Sequence, residues 1–142
     1  MTGNRHRARE FVLKALYALE QSDSKDSADI FQTLTENSGL DKKTLEFGRT
    51  LFKFTSENME RIDAYIQSLA SNWDLNRMAV VDKNILRLAI AEVEFMPDVP
   101  IKVAINEAIE LAKKYSTLES ASFVNGILDT VLHKVEESKE QG

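Results

Sequence analysis

Cysteine is absent from the 142 residues, which excludes disulfide bonds, thiolate nucleophiles and zinc sites with cysteine ligands. The five glycines form neither a GxGxxG nor a GxxxxGK loop, so we expect no nucleotide cofactor. Histidine occurs only at His6 and His133, neither of which has a second metal-type ligand at helical spacing, and no metal site is predicted. Catalysis therefore has few candidate residues.

Long apolar runs are also missing. No stretch approaches the roughly 18 to 20 apolar residues that a membrane-spanning helix needs, and the polar N-terminus lacks the apolar run of a signal peptide. The hydrophobic content of 43% is enough for one compact domain to bury a core without crosslinks. We therefore expect a soluble protein of the cytoplasm with a single domain.

Proline is rare, and the two prolines stand close together at Pro97 and Pro100, so most of the chain is free to be helical. Apolar residues recur at the spacing of an α-helix, and no alternating pattern typical of a β-strand competes with it. The first helix is predicted from residue 5 to residue 20, with one apolar face that comprises Ala8, Val12, Ala15, Leu16 and Leu19. The predicted fold class is all-α, with about seven helices.

Local signals predict where the later helices begin and end. Asp41 is a candidate N-cap for a long third helix, which is expected to break or kink near residues 56 to 58. The segment MPDVP ends one helix, and Pro100 suits the first turn of the next. Ser116 and Glu119 have the spacing of a capping box at the start of the last helix.

The apolar pattern lapses around residues 71 to 76, which predicts a boundary between two groups of helices. We expect one domain over residues 1–142, in which helical subdomains of approximately 1–71 and 72–138 pack together as two small bundles. A charged C-terminal tail, residues 136–142, is expected to fray. Trp73 lies at the boundary and is predicted to pack between the two groups.

The first nine residues are basic although the protein is acidic, with a formal net charge of −5. They contain Arg5, His6, Arg7 and Arg9 and no carboxylate, and removing the three arginines leaves 15 basic residues against 23 acidic ones. Arginine suits phosphate binding because its planar fork stays charged and donates hydrogen bonds in pairs. On composition alone, a solvated terminus and a phosphate-binding surface are about equally good interpretations.

Two features of the second half of the chain invite a chemical interpretation. Glu107 and Glu110 stand three residues apart, and we favour a surface ion pair of Glu110 with Lys114 over acid-base chemistry. In FVNG, a glycine within a helix costs roughly 1 kcal/mol relative to alanine, so Gly126 predicts close approach of another backbone or a ligand. Phe123 is expected to pack at the edge of the core, unless a basic surface nearby favours stacking on an unpaired base.

Several segments together resemble the NusB family of bacterial transcription antitermination factors. They occur in family order and span nearly the whole chain: RARE, ALY, ILRLA, VPIKVAINEAIELAKKY and FVNGILD. The run VAINEAIELAK followed closely by FVNG is the most specific part of this resemblance.

The resemblance implies an all-helical fold of two helical subdomains without enzymatic activity or cofactors. It also implies binding of the single-stranded boxA element in ribosomal RNA leader transcripts together with the ribosomal protein NusE. That pair would join RNA polymerase and other Nus factors, so that termination is suppressed and ribosomal RNA is completed.

The residues that match the family's functional positions form two sets. The RNA-binding set comprises Arg5, His6, Arg7, Arg9, Ser122 and Phe123, and the partner-binding set comprises Tyr17, Asp82 and Glu119. His6 stands where many members have arginine, and Ser122 stands where lysine is common. Each departure removes positive charge from the RNA surface at neutral pH, so we expect weaker RNA affinity and a stronger dependence on NusE.

Two other classes of function remain open from the sequence. The same helical module can act with a ribosomal RNA methyltransferase, although the chain offers no glycine-rich loop for a cofactor. It can also be a helical scaffold for protein interactions or a homodimer, in which the segment from Arg5 to Arg9 would be hidden from RNA.

Overall fold

The structure is a computed structural model that describes residues 3–22, 27–70 and 75–141, and these residues contain helices and no β-strands. Within these residues, seven α-helices follow one another: α1 (Gly3–Gln21), α2 (Ser27–Thr35), α3 (Lys42–Glu57), α4 (Met59–Leu69), α5 (Val80–Phe95), α6 (Ile101–Tyr115) and α7 (Leu118–Gln141). A short 3-10 turn, Leu75–Arg77, precedes α5. The predicted all-α class is confirmed, whereas Trp73 lies outside the described residues and its packing stays a prediction.

Two helix ends follow local chemistry that the sequence predicted. Asp41 is the N-cap of α3, where its Oδ1 accepts a hydrogen bond from the backbone N–H of Thr44 at 2.8 Å. Hydrogen bonds from Thr44 lower the pKa of Asp41, so the cap is charged at neutral pH. Asn58 separates α3 from α4 in non-helical backbone geometry, and its Nδ2 donates to the carbonyl of Phe54 at 2.8 Å. The predicted break near residues 56 to 58 is therefore present.

The start of α7 differs from the prediction by one residue. The side chain that caps α7 belongs to Thr117, whose Oγ1 accepts a hydrogen bond from the backbone N–H of Ser120 at 3.0 Å. Ser116 instead ends α6, and its hydroxyl donates to Asp82 Oδ1 at 2.5 Å. The predicted capping box from Ser116 is wrong because the serine hydroxyl donates its hydrogen bond to the Asp82 carboxylate on α5.

Helix α5 lies at the centre of the fold, in contact with α1, α3, α4, α6 and α7. Six of its apolar side chains are at most 1% exposed, namely Ile85, Leu86, Leu88, Ala89, Ile90 and Ala91. A helix that is apolar around its circumference is typical of a buried element. Four polar side chains of α5 are buried as well: Asp82, Asn84, Arg87 and Glu92. These polar groups connect the core to the candidate site.

Helix α1 runs antiparallel to α5. Arg9 pairs with Glu92 near the C-terminal end of α5, and Glu20 accepts a hydrogen bond from Lys83 at 2.9 Å near its N-terminal end. The beginning of α1 therefore lies beside the end of α5.

Gly48 allows α3 to approach its neighbours closely. A Cβ at this position would meet Phe31 Cζ at 2.7 Å and Ala8 Cβ at 3.4 Å. Close approach at a helical glycine therefore occurs at Gly48, a position for which the sequence analysis made no such prediction.

The helices form two contacting groups, α1 to α3 and α5 to α7, and α5 also packs against α1 and α3. The proposed subdomain boundary near residue 72 falls partly outside the described residues and stays a prediction. In the described part of the chain, no helix combines the length and apolarity needed to cross a membrane.

Candidate nucleic-acid interface

Arg5 and Arg7 lie at the surface on the first turns of α1. The Arg5 guanidinium is 3.4 Å from Asp98 Oδ2 and 4.5 Å from the centroid of the Phe47 ring, and about half of its side chain is exposed. Arg7 Nη2 donates to the carbonyl of Ser38 at 2.9 Å in an exposed position. Each guanidinium makes one polar contact here and has five N–H groups, so donors remain for phosphate oxygens.

Arg9 is buried, which corrects the expectation that it lies on the RNA surface. Its side chain is 2% exposed, and its Nε donates to both carboxylate oxygens of Glu92 at 2.8 and 3.1 Å. Its Nη2 also donates to Glu92, which is fully buried. Because the guanidinium is neutralised inside the protein, Arg9 holds the start of α1 against α5 and does not face solvent.

His6 is half-buried beside α6. Its Nδ1 lies 2.7 Å from Glu107 Oε2, and Arg9 Nη1 lies 3.9 Å from the same oxygen. Glu107 is therefore engaged with the basic start of α1, a role that its spacing from Glu110 did not reveal.

Lys114 takes a different partner from the predicted one. Its Nζ lies 2.6 Å from Glu10 Oε2, and the hydroxyl of Tyr115 donates to the same oxygen at 2.5 Å. Glu110 instead pairs with Lys113 at 3.5 Å, so the predicted pair of Glu110 with Lys114 is wrong. Burial raises the pKa of Glu10, but the hydrogen bonds from Lys114 and Tyr115 outweigh it and lower the pKa below its usual value.

Phe123 lies near the start of α7 beside a pocket of about 160 Å³ and is half-buried, whereas Ser122 is exposed. The pocket is lined by Arg77, Met78, Ala79, Asp82, Glu119, Ser120 and Phe123. Since Asp82 and Glu119 carry carboxylates and Arg77 is its one cation, this pocket is not a basic patch.

Gly126 does not serve a close approach. No heavy atom lies within 4 Å of a Cβ built at this position, and the residue is exposed. The prediction of a backbone or ligand neighbour at Gly126 is therefore wrong for the described residues.

The partner-binding set contains both exposed and buried side chains. Tyr17 is 50% exposed and Glu119 is exposed, as expected of contact residues. Asp82 is only 4% exposed and bonded to Ser116, so its carboxylate joins α5 to the end of α6 and is not a free surface group.

Sequence reasoning missed Asn84, which lies in the same region. Tyr17 borders a mainly apolar pocket of about 180 Å³, together with Leu13, Lys14, Val81, Asn84 and Tyr115. Asn84 is fully buried; its Oδ1 accepts from Arg87 at 2.8 Å, but its Nδ2 has no hydrogen-bond partner among the described residues. An asparagine within the apolar run of α5 was the available signal, because a buried amide normally needs partners for all its polar atoms.

The predicted site residues therefore occupy opposite ends of α5. Arg5, His6 and Arg7 lie at its C-terminal end, whereas Tyr17 and Phe123 lie at its N-terminal end beside Val81 and Asp82 respectively. Ten residues of helix separate Asp82 from Glu92, which corresponds to about 15 Å along the axis. Arg5, His6 and Arg7 are neighbours in the sequence whose side chains contact Asp98, Glu107 and Ser38, and Phe123 lies at the other end of α5.

Comparisons with known proteins agree with this architecture. Residues 6–133 match the NusB family. Transcription antitermination protein NusB of Chloroherpeton thalassium is 43% identical over 132 residues, which cover 93% of this chain and 63% of the length of that relative. NusB of T. maritima has a solved structure that matches with a TM-score of 0.83 and 43% identity over 89% of each chain.

A second solved structure contains binding partners. It is a crystal structure of the antitermination factors NusB and NusE in complex with double-stranded RNA, and it matches with a TM-score of 0.82 and 25% identity. The match covers 92% of this chain and 97% of that chain. The family match and the shared fold lead to one conclusion: the chain belongs to the NusB family.

Proposed function

We propose that this protein is a transcription antitermination factor that binds single-stranded boxA RNA together with the ribosomal protein NusE. The observation that carries the proposal is the NusB family match over residues 6–133. The names of the relatives and the solved complex of NusB with NusE and RNA support it. The pair acts by assembly with RNA polymerase and other Nus factors in the cytoplasm, and no catalytic step is required.

The RNA surface of the proposal begins at the basic start of α1. Arg5 and Arg7 contact phosphates, and His6 is next to them in the sequence. Arg9 contributes indirectly, because its buried pair with Glu92 holds the start of α1 against α5. The strand then runs along the α5 direction toward Ser122 and Phe123, which lie near the other end of that helix. The acidic remainder of the chain disfavours RNA on the other faces.

The NusE surface of the proposal is the pocket beside Tyr17. The exposed tyrosine and apolar lining suit an apolar side chain of a protein partner. A partner carbonyl that reaches the pocket would accept a hydrogen bond from Asn84 Nδ2, which otherwise stays unpaired in the described structure. Glu119 contributes at the edge, and Asp82 acts by holding α5 to Ser116.

The RNA surface is tested by the salt dependence of binding to a fluorescent boxA RNA, with a scrambled RNA as the control. Arg5→Ala combined with Arg7→Ala removes two phosphate contacts, so the slope of log K against log salt should become shallower by about 1.4, or 0.7 for each contact. A matched variant, Lys53→Ala combined with Arg61→Ala, removes two exposed cations on α3 and α4 and should leave the slope unchanged. Equal slopes in both variants would refute the surface.

The NusE surface is tested by measuring boxA binding with and without NusE. Tyr17→Ala should weaken NusE-dependent binding about tenfold or more, because a buried aromatic anchor is a frequent hot spot of an interface. RNA binding by the protein alone should not change. Val103→Ala removes a similarly exposed apolar side chain on α6 and serves as the control. If Val103→Ala has the larger effect, the partner occupies another face.

A further inference from the structure

The imidazole of His6 makes one specific contact, which determines the chemistry of both ring nitrogens. Its Nδ1 lies 2.7 Å from Glu107 Oε2, and the two side chains are 29% and 14% exposed. An ionised carboxylate can only accept hydrogen bonds, so Nδ1 must carry the proton of this bond. In the neutral ring, Nε2 is then an acceptor, and it becomes a charged donor only when a second proton binds.

Nε2 remains available for an external ligand. Among the described residues it makes no hydrogen bond, and nearly a third of the His6 side chain is exposed to solvent. Arg5 and Arg7 are exposed on the same turns of α1. Arg5 contacts Asp98, Arg7 contacts Ser38 and His6 contacts Glu107, so the three side chains would meet an RNA backbone at different phosphates.

A network of charged side chains lies around the start of α1 and includes His6. The groups in this network are Glu10, Arg9 and Arg5 on α1, Glu92 on α5, Asp98 before α6, and Glu107 and Lys114 on α6. They comprise four carboxylates and three cations, and Arg7 adds a fourth cation on the same turns of α1.

We propose that Glu107 is a positioning residue for the RNA surface, which holds His6 in the Nδ1–H form and leaves Nε2 as a proton-gated donor to an RNA phosphate. This inference rests on the proposed function. When the ring is protonated, Nε2–H donates to a phosphate oxygen and the imidazolium adds a positive charge. When that proton leaves to water, a lone pair on Nε2 faces the phosphate oxygen, and the hydrogen bond is lost.

The positioning role can be measured in the protein without RNA. The chain has two histidines, and His133 is exposed and 4.0 Å from Asp129, so it serves as an internal reference. Long-range proton–nitrogen NMR spectra at about pH 8.5, two units above the usual imidazole value of about 6.5, report which nitrogen carries the proton. We expect the Nδ1–H form for His6, and in Glu107→Gln a shift of His6 toward the pattern of His133.

The effect of a proton on Nε2 is measured by the affinity for boxA RNA between about pH 5.5 and 8.5, a range that brackets the usual pKa of an imidazole. The wild-type protein should lose about tenfold in affinity as the pH rises, which corresponds to one charge-assisted hydrogen bond at a partly exposed site. His6→Arg keeps its charge throughout this range, so its profile should be flat and its affinity higher than wild type at the alkaline end.

Glu107→Gln and Glu110→Gln make the same change of charge one turn apart on α6. Glu107→Gln should flatten the pH profile, because the amide no longer requires the proton on Nδ1. Glu110→Gln leaves His6 and its partner intact and should keep the wild-type profile. If Glu110→Gln flattens the profile equally, a general effect of charge explains the result and the positioning role is refuted.

The outcomes separate this inference from the proposed function. A His6 spectrum with the pattern of His133 in the wild-type protein overturns the positioning role, whatever the RNA measurements show. Parallel pH profiles of the wild-type protein and His6→Arg, with RNA bound by both, overturn the gate and leave the proposed function standing. Absence of boxA binding by both proteins at every pH, with and without NusE, overturns the proposed function and the gate together.

Discussion

Replacing Glu92 by glutamine tests whether the start of α1 is held by a buried ion pair. The change preserves the size of the side chain but removes the charge that neutralises Arg9, which is 2% exposed. Removing one partner of a buried pair typically costs about 3–5 kcal/mol, because the other charge stays buried without compensation. The total free energy of unfolding of a domain is about 5–15 kcal/mol, so the expected loss is a large fraction of it.

Urea denaturation followed by far-ultraviolet circular dichroism measures this loss. With a denaturant dependence of about 2 kcal/mol per molar, the midpoint of Glu92→Gln should fall by about 1.5–2.5 M. Glu94→Gln is the matched control, because Glu94 lies two residues further along α5 and pairs at 2.6 Å with Arg61, which is 58% exposed. Exposed pairs of this kind contribute little, so its midpoint should stay close to that of wild type.

The double variant Arg9→Met with Glu92→Leu separates charge from packing. It replaces the pair by apolar side chains of similar volume, and such replacements are often neutral or stabilising. We therefore expect it to recover most of the stability that Glu92→Gln loses. If Glu92→Gln and Glu94→Gln have the same midpoint, the Arg9 charge reaches water, the burial argument is wrong, and Arg9 returns as a candidate RNA contact.

Two further predictions concern packing and capping. Gly48→Ala should destabilise the protein by about 1–2 kcal/mol because the new Cβ meets the buried Phe31 ring at 2.7 Å. Gly126→Ala should stabilise it by up to about 1 kcal/mol because no atom lies near the new Cβ. The urea midpoints of the two variants should therefore move in opposite directions, and movement in the same direction would contradict the packing argument. The lowered pKa of Asp41 means that its charged cap is present at neutral pH and is lost as the pH falls through the folded-state value, which lies below 3.8. Asp41→Asn caps at every pH, so it should gain stability relative to wild type as the pH falls from 7 to below that value. A difference in midpoint between these two proteins that does not vary with pH would refute that role.

Much of the fold could be predicted because its signals are local in the sequence. Asp41 caps α3 through a bond three residues away, as predicted, and Pro100 is the N-cap of α6, one position before the predicted first turn. The apolar period of each helix likewise depends on neighbours within a few turns. The all-α class and several helix ends therefore followed from short segments, whereas α7 is helical to Gln141, across most of the tail that was expected to fray.

The candidate site depended more on distant contacts. The basic start of the chain was visible, but Arg9 and Arg7 could not be distinguished by sequence because the partner of Arg9, Glu92, lies 83 residues away. Lys114 similarly bonds Glu10 across 104 residues and not the nearer Glu110. A charged side chain pairs with the opposite charge that the packing of the helices brings closest. Helical spacing in the sequence does not predict which residue that is.

The sequence by itself determined the helices, the family and the presence of a basic segment on an acidic protein, since each is expressed in composition or in short motifs. The tertiary structure decided which of those basic groups faces solvent, which glycine is closely packed, and which carboxylate meets His6. It did so because α1 lies antiparallel to α5 and beside α6, an arrangement that depends on the burial of apolar faces from all three helices at once. Arg5 and Arg7 stay at the surface, and Arg9 is enclosed, for that reason.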